Sequence, residues 1–435
     1  MKAFGSLIAA LLIAAAPLRA EIDITEVTSP GGVNAWLVQE ETIPFVALEL
    51  RFKGGGSLDL PGKRGATNLM VGLLEEGAGD LDAREFAERA ESLAASFDFD
   101  ISDDAVSISA RFLTENQDEA LALLRDAITQ PRFDQAAIDR VKAQIVSGIR
   151  SDAQDPDDLV GAAFDSMVFG DHPYGSSIEG TEESVAALTR DDLLTAYKGA
   201  LARDRVYVGA AGDISAEGLA ELMDKLLADL PETGLPQAPD IDVSTEAGVT
   251  VVPFDVPQSV AIFGHEGIAR DDPDFFVAFV LNEILGGGGF EARLMEEVRE
   301  KRGLTYGVYS YLVPKDHAAL YLGRVSSAND RIAEAIAVIR DEWSKMAENG
   351  VTQEELDGAK TYLTGAYPLR FDGNGPIANI LVGMQMDGLP VDYVNTRNAQ
   401  VEAITLEDIK RVAARILKPE ALRFVVVGQP EGLDS

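Results

Sequence analysis

Three segments of this chain recur about half its length later, and that repeat limits the fold more than any other feature of the sequence. Val185–Leu193 (VAALTRDDL) lines up with Val401–Ile409 (VEAITLEDI) at an offset of 216 residues, and Arg205–Gly212 meets Leu422–Gly428 at the same offset, Gly212 against Gly428. Phe133–Lys142 pairs with Val351–Lys360 at an offset of 218, matching Gln135 with Gln353, Asp139 with Asp357 and Lys142 with Lys360. Agreement within two residues of register marks a duplicated unit, each copy long enough to close its own core. Pro231–Pro239 (PETGLPQAP) resists both helix and sheet. The expected organisation is therefore a first unit over 21–230, a linker over 231–240 and a second unit over 241–435.

Within each copy the periodicities are mixed. Val46, Leu48, Leu50 and Phe52 alternate with more polar neighbours, as do Val106, Ile108, Ala110 and Phe112, which predicts half-buried strands. Phe86, Ala90, Leu93 and Phe97 recur at three and four, which predicts one apolar helix face. Strands near both ends of each copy with helices between them give an α+β unit, a mainly antiparallel sheet covered by helices.

Composition closes off several functions. The chain has 37 Lys plus Arg against 73 Asp plus Glu, a net charge of −36, and lacks a basic block, which argues against nucleic acid or an anionic bilayer as a partner. It has no cysteine and so no disulfides or thiolate chemistry. Lys2 followed by the apolar stretch Leu7–Pro17 and by Leu18-Arg19-Ala20 reads as a secretory signal over 1–20, cleaved after Ala20. At about 1.5 Å per residue that stretch falls well short of the ~30 Å hydrocarbon core, so no stable membrane span is expected after cleavage. An exported chain without cysteine suits the bacterial periplasm.

Familiar catalytic signatures are missing. There is no Gly-x-Ser-x-Gly elbow. Gly62-Lys63 lacks both the leading glycine and the Ser/Thr of a phosphate loop, where Ser57 and Arg64 stand instead. Gly286–Gly289 is followed by Glu291 where a dinucleotide fingerprint needs its last glycine. His172, His265 and His317 have no local ligand spacing and read as structural or surface residues.

The segment Leu285–Ser310 (LGGGGFEARLMEEVREKRGLTYGVYS) resembles the C-terminal half of the insulinase/pitrilysin-like metallopeptidases, inverted zincins that include the mitochondrial processing peptidase and the respiratory-complex core proteins. The duplicated α+β unit and the Asp171-His-Pro-Tyr-Gly175 stretch extend the resemblance over nearly the whole mature chain. It implies that Gly286, Gly287, Gly288 and Gly289 form a substrate-binding loop, and that Arg299 and Tyr306, seven apart, hold the scissile peptide of a substrate whose zinc lies on an opposing domain. Residue chemistry agrees: Leu294 and Val298 mark the buried side of a helix that Gly303 can close, and Leu304–Val313 then reads as a strand. A guanidinium and a phenol both donate hydrogen bonds suited to a carbonyl oxygen that gains charge. On residue types alone, Arg299 pairing with a surface acid such as Glu296 and Tyr306 packing in the core remain open alternatives.

Catalytic members of the family carry His-x-x-Glu-His in the first half. The corresponding stretch here is Gly65–Gly77, with Asn68, Val71 and Gly72 at the first histidine, the glutamate and the second histidine, and the distal glutamate ligand would fall near Gln144. Valine cannot move a proton and glycine offers no side-chain ligand. Glu75 and Glu76 are neighbours and point to different helix faces. No metal is expected in this chain. The resemblance implies a non-catalytic, substrate-positioning subunit whose paralogous partner carries His-x-x-Glu-His and zinc, the substrate being a peptide or unfolded protein. The alternative is a noncatalytic binding or scaffold protein of the same fold; an independent carboxylate hydrolase has no spacing to support it.

Overall fold

The computed structural model describes residues 22–433, so the candidate signal over 1–20 lies outside the described residues. In the first half, β1 (Thr25–Thr28), β2 (Asn34–Gln39) and β3 (Phe45–Lys53) are followed by helix α1 (Ala66–Val71) and a small hairpin of β4 (Gly77–Ala78) and β5 (Leu81–Asp82). Helix α2 (Ala83–Ser92) leads to β6 (Ser96–Ile101) and β7 (Ala105–Leu113). Helices α3 (Gln117–Thr129), α4 (Gln135–Asp152), α5 (Pro156–Phe169), α6 (Glu182–Ala187) and α7 (Arg190–Ala200) come next, then β8 (Val206–Gly212) and α8 (Ala216–Leu227). The second half runs β9 (Gly248–Pro253), β10 (Gln258–Glu266), α9 (Phe275–Asn282), β11 (Val308–Lys315) and β12 (Ala318–Ala328). It ends with α10 (Ile332–Asn349), α11 (Gln353–Ala366), α12 (Asn374–Met386), α13 (Tyr393–Ala403), α14 (Leu406–Ile416) and β13 (Arg423–Gly428).

The strand orders β1-β2-β8-β3-β7-β6 and β11-β12-β10-β13-β9 are the same arrangement twice, with β1 added at one edge of the first. Each sheet is antiparallel except for one pair, β2 with β8 and β9 with β13. Matched residues in the two sequence copies do matched work. The Gln135 amide donates to Asp139 at 2.8 Å, as Gln353 does to Asp357 at 2.7 Å. The Lys142 ammonium closes the end of α6 on Ala186 O (3.1 Å), and Lys360 closes α13 on Glu402 O (2.8 Å). Thr189 and Thr405 each build a capping box, with Asp192 and Asp408, at the start of α7 and α14. Gly212 and Gly428 both sit at positive φ, 131° and 148°, where β8 and β13 leave their sheets.

One predicted element differs. Leu93 closes α2 and Phe97 lies on β6, so the apolar series Phe86, Ala90, Leu93, Phe97 spans a helix and the strand after it. The register of three and four continued by coincidence, because Phe97 meets Phe86 in the same core from the sheet side, ring centroids 6.2 Å apart.

The halves interlock. Helix α5 of the first half lies on the second sheet, where Val160 and Phe164 are buried with Val260, Ile262, Val425 and Val427. Helix α12 of the second half lies on the first sheet, its Ala378 packed against Ala47 of β3 and Ala211 of β8. Its backbone comes so close that a Cβ on Gly209 would be 2.4 Å from Ala378 O. Residues 231–240 carry no helix or strand, and the chain here is tied down at both halves. Arg205 donates to Leu235 O (2.6 Å), His172 Nε2 bonds Pro239 O (2.9 Å), and His317 Nδ1 meets Asp240 at 3.0 Å. Tyr174, from the Asp171–Gly175 stretch, is buried at this junction: its hydroxyl bonds Asp104 and accepts from His317 N (3.2 Å). No helix among the described residues is long and apolar enough to cross a membrane.

His265, on β10, is fully buried. Its Nε2 accepts from Trp343 Nε1 (3.0 Å) and from Lys418 N (3.3 Å), so the proton sits on Nδ1, which donates to Glu266 O (2.6 Å). Protonating Nε2 would set a donor against two donors, and burial pushes the imidazole down from its usual value to about 4. The unfolded imidazole takes up its proton near pH 6.5 and the folded one only near 4. This residue's contribution is therefore complete above pH 6.5 and is lost as pH falls towards 4, about 3 kcal/mol over the window. Burial lifts the Asp165 carboxyl to about 6, which acts in the opposite direction. Urea unfolding of wild type and His265→Gln at neutral pH and near the lower end of this window isolates the imidazole. The variant should be weaker at neutrality yet lose less on acidification; equal losses would remove His265 as the cause.

Candidate substrate-positioning site

Arg299 and Tyr306 come from one continuous piece of chain. Met295–Glu300 is a π-helical turn whose wide register is closed by Lys301 N to Glu296 O (2.9 Å), with Met295 and Val298 buried beneath it. Gly303, at φ 60°, ends it, and its amide donates to Arg299 O at 2.7 Å. The sequence predicts a strand from Leu304, but β11 begins only at Val308, which leaves Tyr306 in the connecting loop. The loop is held from below. The Thr305 hydroxyl donates to Ser326 O (2.6 Å) and accepts from Gly307 N (3.0 Å), while Arg331 donates to Gly303 O (2.8 Å) and Arg302 O (3.0 Å).

The Tyr306 side chain is therefore displayed on a fixed backbone, and at 87% exposure it does not pack in the core. Arg299 meets Glu300, with Nε 3.5 Å from Oε1, whereas Glu296 pairs with Lys301 at 3.1 Å. Arg299 and Tyr306 line one cleft of about 530 Å³, together with Gln258, Thr305, Ser326 and Arg331. Thr305 and Arg331, which fix the loop, were not predicted; Arg331 lies 25 residues beyond Tyr306, with no spacing to connect them.

The glycine run lies apart from that cleft's walls. Glu283–Gly287 forms a second π-helical turn after α9, and Gly288 N closes it on Glu283 O at 2.8 Å. Gly286 is required by a close approach: a Cβ there would lie 2.3 Å from Ser310 Oγ and 2.6 Å from Ser310 N. Gly287 and Gly288 are similarly crowded by Asn282 and Glu283, while Gly289 is open at φ 61°.

In the first half, α1 keeps a well-made start. Gly65 sits at φ 95°, and the buried Asp59 carboxylate accepts from Gly65 N (2.8 Å), Thr67 N (2.9 Å) and Thr67 Oγ1 (2.7 Å). Burial nevertheless holds the Asp59 carboxyl above its usual range. Further along, Asn68 is half-buried, Val71 is buried in the core and Gly72 is exposed with Val141 of α4 opposite it, while Gln144 is exposed on α4. Glu76 pairs with Arg140, and Glu75 has its carboxyl raised by burial. An amide, an alkyl group and a bare backbone offer zinc neither two imidazoles nor a general base, so these residues do not fit the ion. Among the described residues no group of three His, Asp or Glu is arranged to hold a metal.

Two domain models of one family match the chain, the insulinase (peptidase family M16) domain over residues 35–182 and the peptidase M16 inactive domain over 187–363, together about three quarters of its length. The non-peptidase homolog YmxG of Helicobacter pylori is 28% identical over 390 residues, covering 89% of this chain and 90% of that protein. A protein of Streptomyces coelicolor described as an uncharacterized zinc protease is 26% identical over 407 residues, covering 91% and 87%. Among solved structures, a peptidase M16 inactive domain from Pseudomonas fluorescens superposes with a TM-score of 0.89 at 28% identity, covering 95% of this chain and 99% of that one.

Two stability outcomes follow from this geometry. Gly286→Ala should cost about 1–3 kcal/mol, since Ser310 backbone cannot yield as a flexible side chain would. Tyr306→Phe should change unfolding free energy by less than about 0.5 kcal/mol, as expected for an exposed site. Chemical denaturation of both variants checks this; a clear loss in Tyr306→Phe would mean that the phenol is structural. With the insulinase family's domains matched in order along one chain that has the fold but not its zinc-binding residues, this protein belongs to the insulinase (M16) peptidase family.

Proposed function

We propose that this chain is the non-catalytic, substrate-positioning subunit of a two-chain zinc peptidase of the insulinase family, exported to the bacterial periplasm. Its partner would be a paralogue bearing His-x-x-Glu-His. The observation that carries the reading is the contrast between the two halves. Tyr306 stands exposed beside Arg299 on a backbone held by Thr305 and Arg331, while Asn68, Val71 and Gly72 leave the first half without ligands or base. A chain that kept only the fold would have no need of a fixed loop presenting a phenol to solvent. Relatives described as zinc proteases supply a precedent for zinc-bearing chains of similar length and fold. In this reading Tyr306 donates to the scissile carbonyl oxygen, Arg299 holds a neighbouring carbonyl or carboxylate of the peptide, and the exposed Gly287 and Gly289 of the glycine run let more distant substrate backbone pass closely.

A second reading, a binding or scaffold protein of the same fold, draws on the Helicobacter pylori relative, whose description is that of a non-peptidase homolog. The two separate on activity. Purified alone, the mature chain should carry no stoichiometric zinc by elemental analysis and show no chelator-sensitive peptide cleavage; about one zinc per chain would sink the assignment. Co-expressed with a His-x-x-Glu-His paralogue of the same organism, it should co-elute as a heterodimer that cleaves unfolded peptides.

Within that complex, Tyr306→Phe should lower kcat about a hundredfold, roughly 3 kcal/mol, as for other oxyanion donors. Arg299→Ala should lower kcat and raise KM. Zinc content and melting temperature should stay at wild-type levels in both. Near wild-type turnover per assembled complex in both variants would leave the scaffold reading in place.

A further inference from the structure

A cavity of about 430 Å³ opens between α9, α12 and α13, with β11 along one side. Its volume falls in the range of small-molecule sites, and its wall is built from rings and arginines. Phe276 and Phe279 of α9, Tyr367 and Met384 supply the apolar surface. Arg270, Arg370 and Arg397 supply the charge, opposed on the wall by a single carboxylate, Asp387, which Arg270 engages at 2.9 Å. A chain with a net charge of −36 has here a half-open space with a surplus of positive charge.

Arg397 is the unusual member. It is only 5% exposed; its Nη1 donates to Leu363 O (2.8 Å) and Asn398 Oδ1 (3.1 Å), and the Tyr393 phenol is a further neutral partner. Its guanidinium carbon lies 4.3 Å from the Tyr367 ring centroid and within 6 Å of those of Phe276 and Phe279. Among the described residues no carboxylate pairs with it: Glu283 feels its charge from beyond ion-pair distance and is not on the cavity wall, and Tyr393, which faces both Arg270 and Arg397, is a phenol. Buried guanidinium groups are ordinarily paired, because neutral acceptors and ring faces recover only part of the lost hydration. Here the charge is instead at the wall of a space large enough for a ligand. Arg370, exposed at the rim, adds a second guanidinium, and a planar carboxylate suits two such forks.

We propose that this cavity binds an apolar carboxylate, its acid group toward Arg397 and Arg370 and its hydrocarbon or aromatic body among Phe276, Phe279 and Met384. The same chemistry is offered by the C-terminal residue of a peptide and by a free aryl or alkyl acid. The site stands on the second half alone and does not depend on the peptidase reading.

Isothermal titration calorimetry of the full mature chain tests it with three probes: N-acetyl-phenylalanine for a peptide C-terminus, 4-phenylbutanoate for a free acid, and N-acetyl-phenylalaninamide as the uncharged control. One or both acids should bind, with the amide weaker by about tenfold or more, the worth of a charge-assisted hydrogen bond. Arg397→Gln and Arg370→Gln should each weaken the acids and leave the amide unchanged. Preference for the acetylated amino acid identifies a peptide terminus, and preference for phenylbutanoate a free acid; either supports the site. Failure of both acids to bind at millimolar concentration, or equal binding of acid and amide, overturns it. If the buried Arg397→Gln does not fold, the exposed Arg370→Gln decides, and undiminished acid binding in that folded variant overturns the proposal.

Discussion

The architecture depends on a reciprocal exchange of helices between the two copies of the unit. Each sheet has one face covered by its own helices and the other by a helix from the opposite copy, α12 on the first sheet and α5 on the second. The two contacts use different packing. On the first sheet, Ala47, Gly209, Ala211 and Ala378 let the helix backbone settle almost onto the strands. On the second, Phe164 and Val160 fill the gap between helix and sheet, and burying side chains of this size is worth about 1.5–3 kcal/mol each. Neither copy could leave the other without exposing an apolar sheet face, so the halves are coupled by the same force that folds them. The tied-down chain over 231–240 and the Tyr174, Asp104 and His317 contacts then fix the angle at which they meet.

Much of this was legible in the sequence because the repeated residues carry local bonds. Thr189 and Asp192, Gln135 and Asp139, and their partners in the second copy are signals within a single helix turn, and the duplication predicted an α+β unit built twice. Long-range choices were not legible. Nothing local in the sequence of α5 or α12 shows that each is buried on the other copy's sheet. At Phe97 a strand continued the helix spacing, and at Leu304 the loop between Gly303 and Gly307 delayed the strand that alternation predicted. Arg299 and Tyr306 were singled out by the family resemblance of one continuous segment and line one cleft, whereas Arg397 and Phe276 come from distant stretches that only folding brings together.

The start of α1 shows which contacts hold this layer in a chain without a His-x-x-Glu-His motif. Asp59 still caps α1 through Gly65 and Thr67, and Leu69 and Met70 still fill the core, since these residues hold the sheet-covering layer together whether or not zinc is present. The positions that the resemblance matches to the metal motif hold side chains that suit plain packing or solvent. Val71 adds to the core, and Gly72 leaves room beside Val141.

Tyr306 raises the opposite problem. A hydrogen-bond donor stabilises developing charge strongly only where water is excluded and the donor is held in place, since in bulk water the same interaction competes with a high dielectric and mobile solvent dipoles. The backbone beneath Tyr306 meets the second condition through Thr305 and Arg331, but an 87% exposed phenol does not meet the first. If Tyr306 is to act on a peptide carbonyl, the missing wall must come from outside this chain. Substrate alone covers a side chain only on the face it touches, whereas a second double-unit chain closing over the cleft would exclude water from all sides. Under that proposed role, the exposure of Tyr306 in the single chain calls for a covering partner on physical grounds, an argument independent of the absence of metal ligands.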